Sequence, residues 1–247
     1  MLQIEDLARL NRPRRLTGAP FGADIRVLVE AGKRRGGVIA YVARDERQAQ
    51  AARDLAGFFD PTLETCLLPA WDNLPYDRVS PSPESAAQRC AGLVRLALTK
   101  PGETLFVALT ATALIQRAAP IETMRKSGLM ARVGGKVPPG TIETYLQTNG
   151  FVRSANVREP GEFAVRGGIT DVYPPGAEEP VRLDLFGDVL DGLRTFDPET
   201  QRTTGKLTQV QLSPVSEILF TDEALSRFRL AYFDAFGAPQ GDPMFDA

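Results

Sequence analysis

Two stretches of this chain alternate apolar and polar residues with a period of two: Val181-Arg182-Leu183-Asp184-Leu185-Phe186 and Val189-Leu190-Asp191-Gly192-Leu193-Arg194. A Gly187-Asp188 pair separates them, and that spacing predicts a hairpin with one face on a core and one in water. The first half of the chain has another rhythm. Val38 to Ala43 is a continuous apolar run, read as a buried strand, and residues 45–59 then follow helical spacing with Asp45 placed as the cap. Short apolar strands are expected at 65–68 and 105–109, with a helix over 82–98 between them and another over 111–117. This βαβ alternation predicts a mostly parallel sheet covered by helices.

The pattern changes at Ala118-Ala119-Pro120, and Val133-Gly134-Gly135 and Pro138-Pro139-Gly140 punctuate the chain beyond it. A helix over 139–148 and a strand-rich antiparallel stretch follow, which places a domain boundary near Thr123. After Leu212-Ser213-Pro214, residues 222–236 return to helical spacing, with Leu225, Phe228, Arg229, Tyr232 and Phe236 in register.

Composition narrows the function. With 247 residues, 43% apolar and 24% charged, the chain can bury a sizeable core and is expected to form two compact units. No apolar run approaches the ~20 residues that span a bilayer, and Met1 to Asp6 lacks a secretory start; a cytoplasmic protein with no membrane partner is expected. Cys66 and Cys90 are read as reduced thiols, without a bridge or a metal. The absence of histidine removes Ser-His-Asp and Cys-His chemistry and the usual His-containing zinc sites. A net charge of -2 argues against a protein that wraps nucleic acid. The basic groups Arg12, Arg14, Arg15 and Lys33, Arg34, Arg35 read as solvated surface.

Candidate chemistry is sparse. Asp171, Asp184, Asp188 and Asp191 lie close in sequence, but they fall on turns or wet-face positions, so solvation is the expected state and no catalytic residue is assigned. Arg166, Arg182 and Arg194 are more informative, because the core does not need them on strands. A sheet face carrying them in water suits a macromolecular partner; the plainer alternative is pairing with Glu178, Glu179, Asp184 or Asp188 of the same sheet.

Three blocks carry a family resemblance: Leu68-Pro69-Ala70-Trp71-Asp72-Asn73-Leu74-Pro75-Tyr76-Asp77-Arg78-Val79-Ser80-Pro81, Gly161-Glu162-Phe163-Ala164-Val165-Arg166-Gly167-Gly168, and Phe196-Asp197-Pro198-Glu199-Thr200-Gln201-Arg202. In this order they resemble the N-terminal module of the bacterial transcription-repair coupling factors (Mfd), itself similar to part of the excision-repair protein UvrB. The resemblance implies a P-loop-NTPase-like α/β domain over 1–122, an inserted α+β domain with an antiparallel sheet over 123–212, and a truncated return to the first domain over 213–247. It also implies that the chain is a fragment, since the family's first domain continues where Ala247 ends.

Two departures bear on activity. UvrB-like relatives carry a P-loop at the position of residues 16–24, but here Gly18 and Gly22 are followed by Ala23 and Asp24 where Lys and Thr stand in that motif. A carboxylate ~4 Å from a phosphate costs about 4 kcal/mol at an effective dielectric near 20, so a degenerate nucleotide site and no cofactor are expected. UvrB's aromatic clamp on DNA is also missing, because residues 78–88 contain no ring. Trp71 and Tyr76 are read as buried beneath the Pro-rich loop rather than as a stacking pair.

The family's inserted domain binds the damage-recognition ATPase UvrA, and the residues credited with that contact match Arg166, Arg182 and Phe186; Arg194, on the adjoining strand, is added as a fourth. The resemblance thus implies a non-catalytic adaptor that recruits UvrA to stalled RNA polymerase. It places polymerase contact and ATP-driven movement on double-stranded DNA in other parts of the parent. The alternatives are a residual UvrB-type nucleotide- or DNA-binding unit and a structural spacer.

Overall fold

The computed structural model describes residues 15, 17–74, 78–217 and 222–237. Three strands, β1 (Gly37–Ala43), β2 (Glu64–Leu68) and β3 (Thr104–Thr110), form a parallel sheet in the order β1-β3-β2. Helices α1 (Ala23–Arg35) and α2 (Glu46–Phe59) cover one face, burying Ile25, Val29, Ala49, Ala52 and Ala56 against Phe106 and Ala108. Helix α3 (Pro83–Leu98) covers the other with Cys90, Leu93, Val94 and Ala97 against Leu105, Val107 and Leu109. Helices on both faces explain why β3 reads as an unbroken apolar run; β1, expected to be buried, is instead an edge strand with Val38 and Val42 48% and 47% exposed, because α3 packs over β2 and β3.

The expected cap at Asp45 is in place, and Ser82 caps the next helix. The Asp45 carboxylate accepts the Gln48 N–H at 2.8 Å and Ser82 Oγ accepts that of Ser85 at 3.3 Å, with Pro83 at the first helical position. The helix expected over 111–117 is shorter: α4 spans Ala111–Ile115, because the chain turns extended at Gln116, whose side chain accepts the Trp71 N–H at 2.9 Å. Helix α5 (Ile121–Ser127) did not stand out in the sequence; Thr123 lies inside it, and its Met124 packs in the core under α3.

Beyond α5 the sheet changes. Strand β4 (Leu129–Arg132) and the distant β11 (Gln209–Leu212) pair antiparallel, from Leu129 opposite Leu212 to Arg132 opposite Gln209. Between them lie α6 (Thr141–Thr148) and a six-stranded sheet of β5 (Val152–Arg153), β6 (Glu162–Arg166), β7 (Ile169–Val172), β8 (Val181–Phe186), β9 (Val189–Phe196) and β10 (Thr203–Lys206). Their order is β10-β9-β8-β7-β6-β5, antiparallel except for the β5–β6 pair. α6 starts two residues later than expected, at Thr141, because Gly140 has φ 79°, a left-handed conformation outside the helix.

Phe163, Val172, Val181, Leu183, Leu190 and Leu193 bury the inner face of this sheet against Ile142 and Leu146 of α6. The Tyr145 hydroxyl lies 2.7 Å from the Ser127 carbonyl and 3.0 Å from that of Leu212, tying α6 to both ends of this unit. Helix α7 (Asp222–Phe236) follows, with Phe228, Tyr232 and Phe236 in a ladder of ring contacts.

A buried ion pair ties α3 to the segment that follows β11. Arg89 of α3 donates to Glu217 at 2.9 Å and to the Pro69 carbonyl at 2.9 Å, while Trp71 Nε1 donates to the same carboxylate at 3.1 Å. Trp71 is therefore half-buried in a polar junction rather than sunk in an apolar loop, with the Arg89 guanidinium 5.7 Å from its ring centre. Tyr76 lies outside the described residues. Among the described residues no helix is long and apolar enough to cross a membrane.

Candidate partner-binding face

The candidate face is the outer side of β6–β9, and its geometry starts from two tight turns. Arg166 pairs with Ile169 across Gly167-Gly168, and Phe186 pairs with Val189 across Gly187-Asp188. Gly167 and Gly187 have φ of 61° and 63°, which side chains rarely adopt. A Cβ on Gly168 would stand 2.6 Å from the Leu185 carbonyl oxygen, so that turn needs two glycines.

Antiparallel register puts Arg182 opposite Asp171 on one side and opposite Arg194 on the other. Arg166, Asp171, Arg182, Asp184 and Arg194 thus share the outer face. Arg182 forms a bidentate pair with Asp171, at 2.7 and 2.9 Å, which pushes its guanidinium pKa up. Arg166 reaches the same carboxylate at 3.7 Å, donates to Asn156 Oδ1 at 2.7 Å, and touches the Ala155 carbonyl. Arg194 pairs with Asp184 at 3.0 Å.

The side chains of Arg166 and Arg194 remain 50% and 45% exposed, but that of Arg182 only 20%. Phe186, at the turn, is 82% exposed and stands clear of the inner core, as its parity in the strand requires. All four residues singled out in the sequence are on one face, and three are already engaged by carboxylates of their own sheet.

Two expectations need correction. Asp171 was expected in solvent; it is buried, and it is the group that organises Arg166 and Arg182. The outer face is also not wholly wet. Phe196 is buried on this side with Val157, Ala164 and Tyr173, and the Arg182 guanidinium lies 4.8 Å from its ring centre. The period-2 pattern puts Asp171 with the polar residues, but cannot say that Arg182 sits directly across from it, because strand register is not written locally.

Residues 18–24 sit apart from this face. Gly18 is exposed with φ 74°, Gly22 precedes α1 with φ 100°, and Ala23 opens the helix. Asp24 turns back on the helix start: its Oδ1 accepts the N–H groups of Gly22 and Ile25, each at 2.9 Å, and its Oδ2 accepts the Tyr41 hydroxyl at 3.3 Å. Cys66 and Cys90 are free thiols whose pKa burial pushes up to about 12. Among the described residues no group of His, Cys, Asp and Glu could hold a metal.

Comparison with known proteins bears on the same segment. The profile of the UvrB interaction domain family matches residues 129–218, the stretch from the start of β4 to just beyond β11. The chain is 32% identical over 223 residues to the transcription-repair-coupling factor of Haemophilus influenzae, covering 90% of this chain and 19% of that protein. The Escherichia coli factor is 32% identical over 224 residues, again 90% and 19%. That of Myxococcus xanthus is 34% identical over 233 residues, 91% and 19%. The chain therefore spans about a fifth of the length of these relatives.

Proposed function

Since this chain is a relative of the transcription-repair-coupling factors and carries a UvrB interaction domain, we propose that it is a non-catalytic adaptor module whose outer sheet face binds UvrA. One observation carries this reading: Arg166, Arg182, Arg194 and the 82% exposed Phe186 stand together on a rigid antiparallel sheet. Guanidinium groups with free edges suit carboxylates on a partner, and an exposed ring beside them suits an anchor in an apolar pocket. Asp171 and Asp184 leave the arginines oriented rather than quenched, since each guanidinium offers five donors.

On this reading the chain works in DNA repair in the cytoplasm, bringing UvrA to stalled RNA polymerase. Polymerase contact and ATP-driven translocation on duplex DNA belong to parts of the parent outside this chain. Residues 1–122 form the host unit, 123–212 the inserted one and 213–247 the return; the pairing of β4 with β11 supports an insertion. The turn at residues 18–24 is a nucleotide site turned structural. In support, the Asp24 carboxylate takes the N–H groups at the start of α1 that a phosphate would use.

The test is binding to purified UvrA by wild type and by the double variant Arg166→Ala plus Phe186→Ala, both exposed positions, with circular dichroism to confirm folding. Loss of about tenfold or more in affinity, about 1.4 kcal/mol or more, is expected. A folded wild type that does not bind would reject the adaptor reading and leave the spacer.

A further inference from the structure

The register of the six-stranded sheet aligns more cations than the family motif accounts for. Lys206 of β10 lies opposite Arg194 of β9, which lies opposite Arg182 of β8. Three positive residues thus stand side by side across adjacent strands, followed in the same row by Asp171 and Ala164. Residues directly opposite one another have Cβ atoms ~5 Å apart, and like charges there are unfavourable.

The sheet offsets two of the three. Asp171 holds Arg182 and Asp184 holds Arg194. Lys206 is exposed on the edge strand, and among the described residues it forms no ion pair. Glu179 accepts from the Thr204 hydroxyl at 2.8 Å, and that hydroxyl also meets Thr195, a neighbour of Arg194 with the opposite parity in β9. An uncompensated cation at the end of a like-charged row is a local cost that folding does not require.

Resting on the reading that this face meets UvrA, we propose that Lys206 is a further contact residue, and that the partner presents an acidic protein strip crossing β10, β9 and β8. The strip follows the row at right angles to the strands. From β6 to β10 the face extends four strand spacings, about 19 Å, so Lys206 and Arg166 mark its two flanks. An exposed rim cation of this kind acts mainly by speeding encounter, and its effect fades as salt rises.

The experiment is association of the whole chain with purified UvrA, followed kinetically at low and high salt. Wild type is compared with Lys206→Glu, Lys206→Arg and Lys126→Glu, the last an equal charge change at an exposed position on α5. Expected results are a fall of about tenfold in affinity for Lys206→Glu, mostly in the association rate and shrinking with salt, near wild-type binding for Lys206→Arg, and no change for Lys126→Glu. Lys206→Glu and Lys126→Glu behaving alike would overturn the inference while leaving the adaptor reading intact. Absence of binding by wild type would instead reject that reading itself.

Discussion

At the scale of single residues, the most consequential group is one that makes no claim on a partner. Asp171 is buried and bridges two arginines, so Arg182→Ala removes more than a contact with UvrA: it leaves a buried carboxylate with only the 3.7 Å approach of Arg166. Arg182→Ala is expected to lose about 3 kcal/mol of unfolding free energy, whereas Arg182→Met together with Asp171→Leu recovers most of that loss. Denaturant unfolding of the two variants checks this. A stable Arg182→Ala protein would show that the pair contributes little to the fold, and that the arginine can be probed directly in binding.

At the scale of elements, helix α2 illustrates how a local signal becomes a pH-dependent one. The Gln48 N–H and, secondarily, Arg44 hold the Asp45 carboxyl below its usual pKa. A depressed carboxyl contributes stability that is fully present above its ordinary pKa near 4 and is lost as pH falls through the folded-state value. The difference in Tm between wild type and Asp45→Ala is therefore expected to be greatest at neutral pH and to close as the pH drops below about 4; a constant difference down to pH 2 would mean the cap acts through shape alone. Caps and periodicity of this sort were legible in the sequence. Asp45 acts within a few residues of where it is written, and the run from Val38 to Ala43 forms a strand, although its burial, which depends on the neighbouring layers, was misread. The hairpin of β8 and β9 was legible for the same reason, since Gly187-Asp188 fixes its own register. What escaped was decided at a distance. Asp171 meets Arg182 from 11 residues away, Trp71 finds Glu217 across 146, and α5 is only seven residues long with no side-chain cap to announce it. A bulge between Asp184 and Leu185 also shifts β9, so Leu190 and Leu193 both face inward at a spacing of three that strict alternation forbids.

At the scale of the whole molecule, the second unit brings its own core. Every buried apolar residue under its sheet, from Ala131 to Leu212, comes from within the stretch matched by the UvrB interaction domain family. Residues 129–218 expressed alone are expected to fold, with a cooperative thermal transition and dispersed amide resonances. A molten 129–218 would show that the Arg89–Glu217 junction is needed to hold the sheet together. The pairing of β4 with β11 has a mechanical side as well. Leu129 and Leu212, where the chain comes into and goes out of this unit, are cross-strand neighbours. Beyond that pair the Val215 N–H donates to the Asn149 carbonyl at 3.0 Å and Glu217 is held by Arg89. Tension between the flanking segments therefore meets these two clasps first, and once they yield it must unzip the β4–β11 ladder one rung at a time.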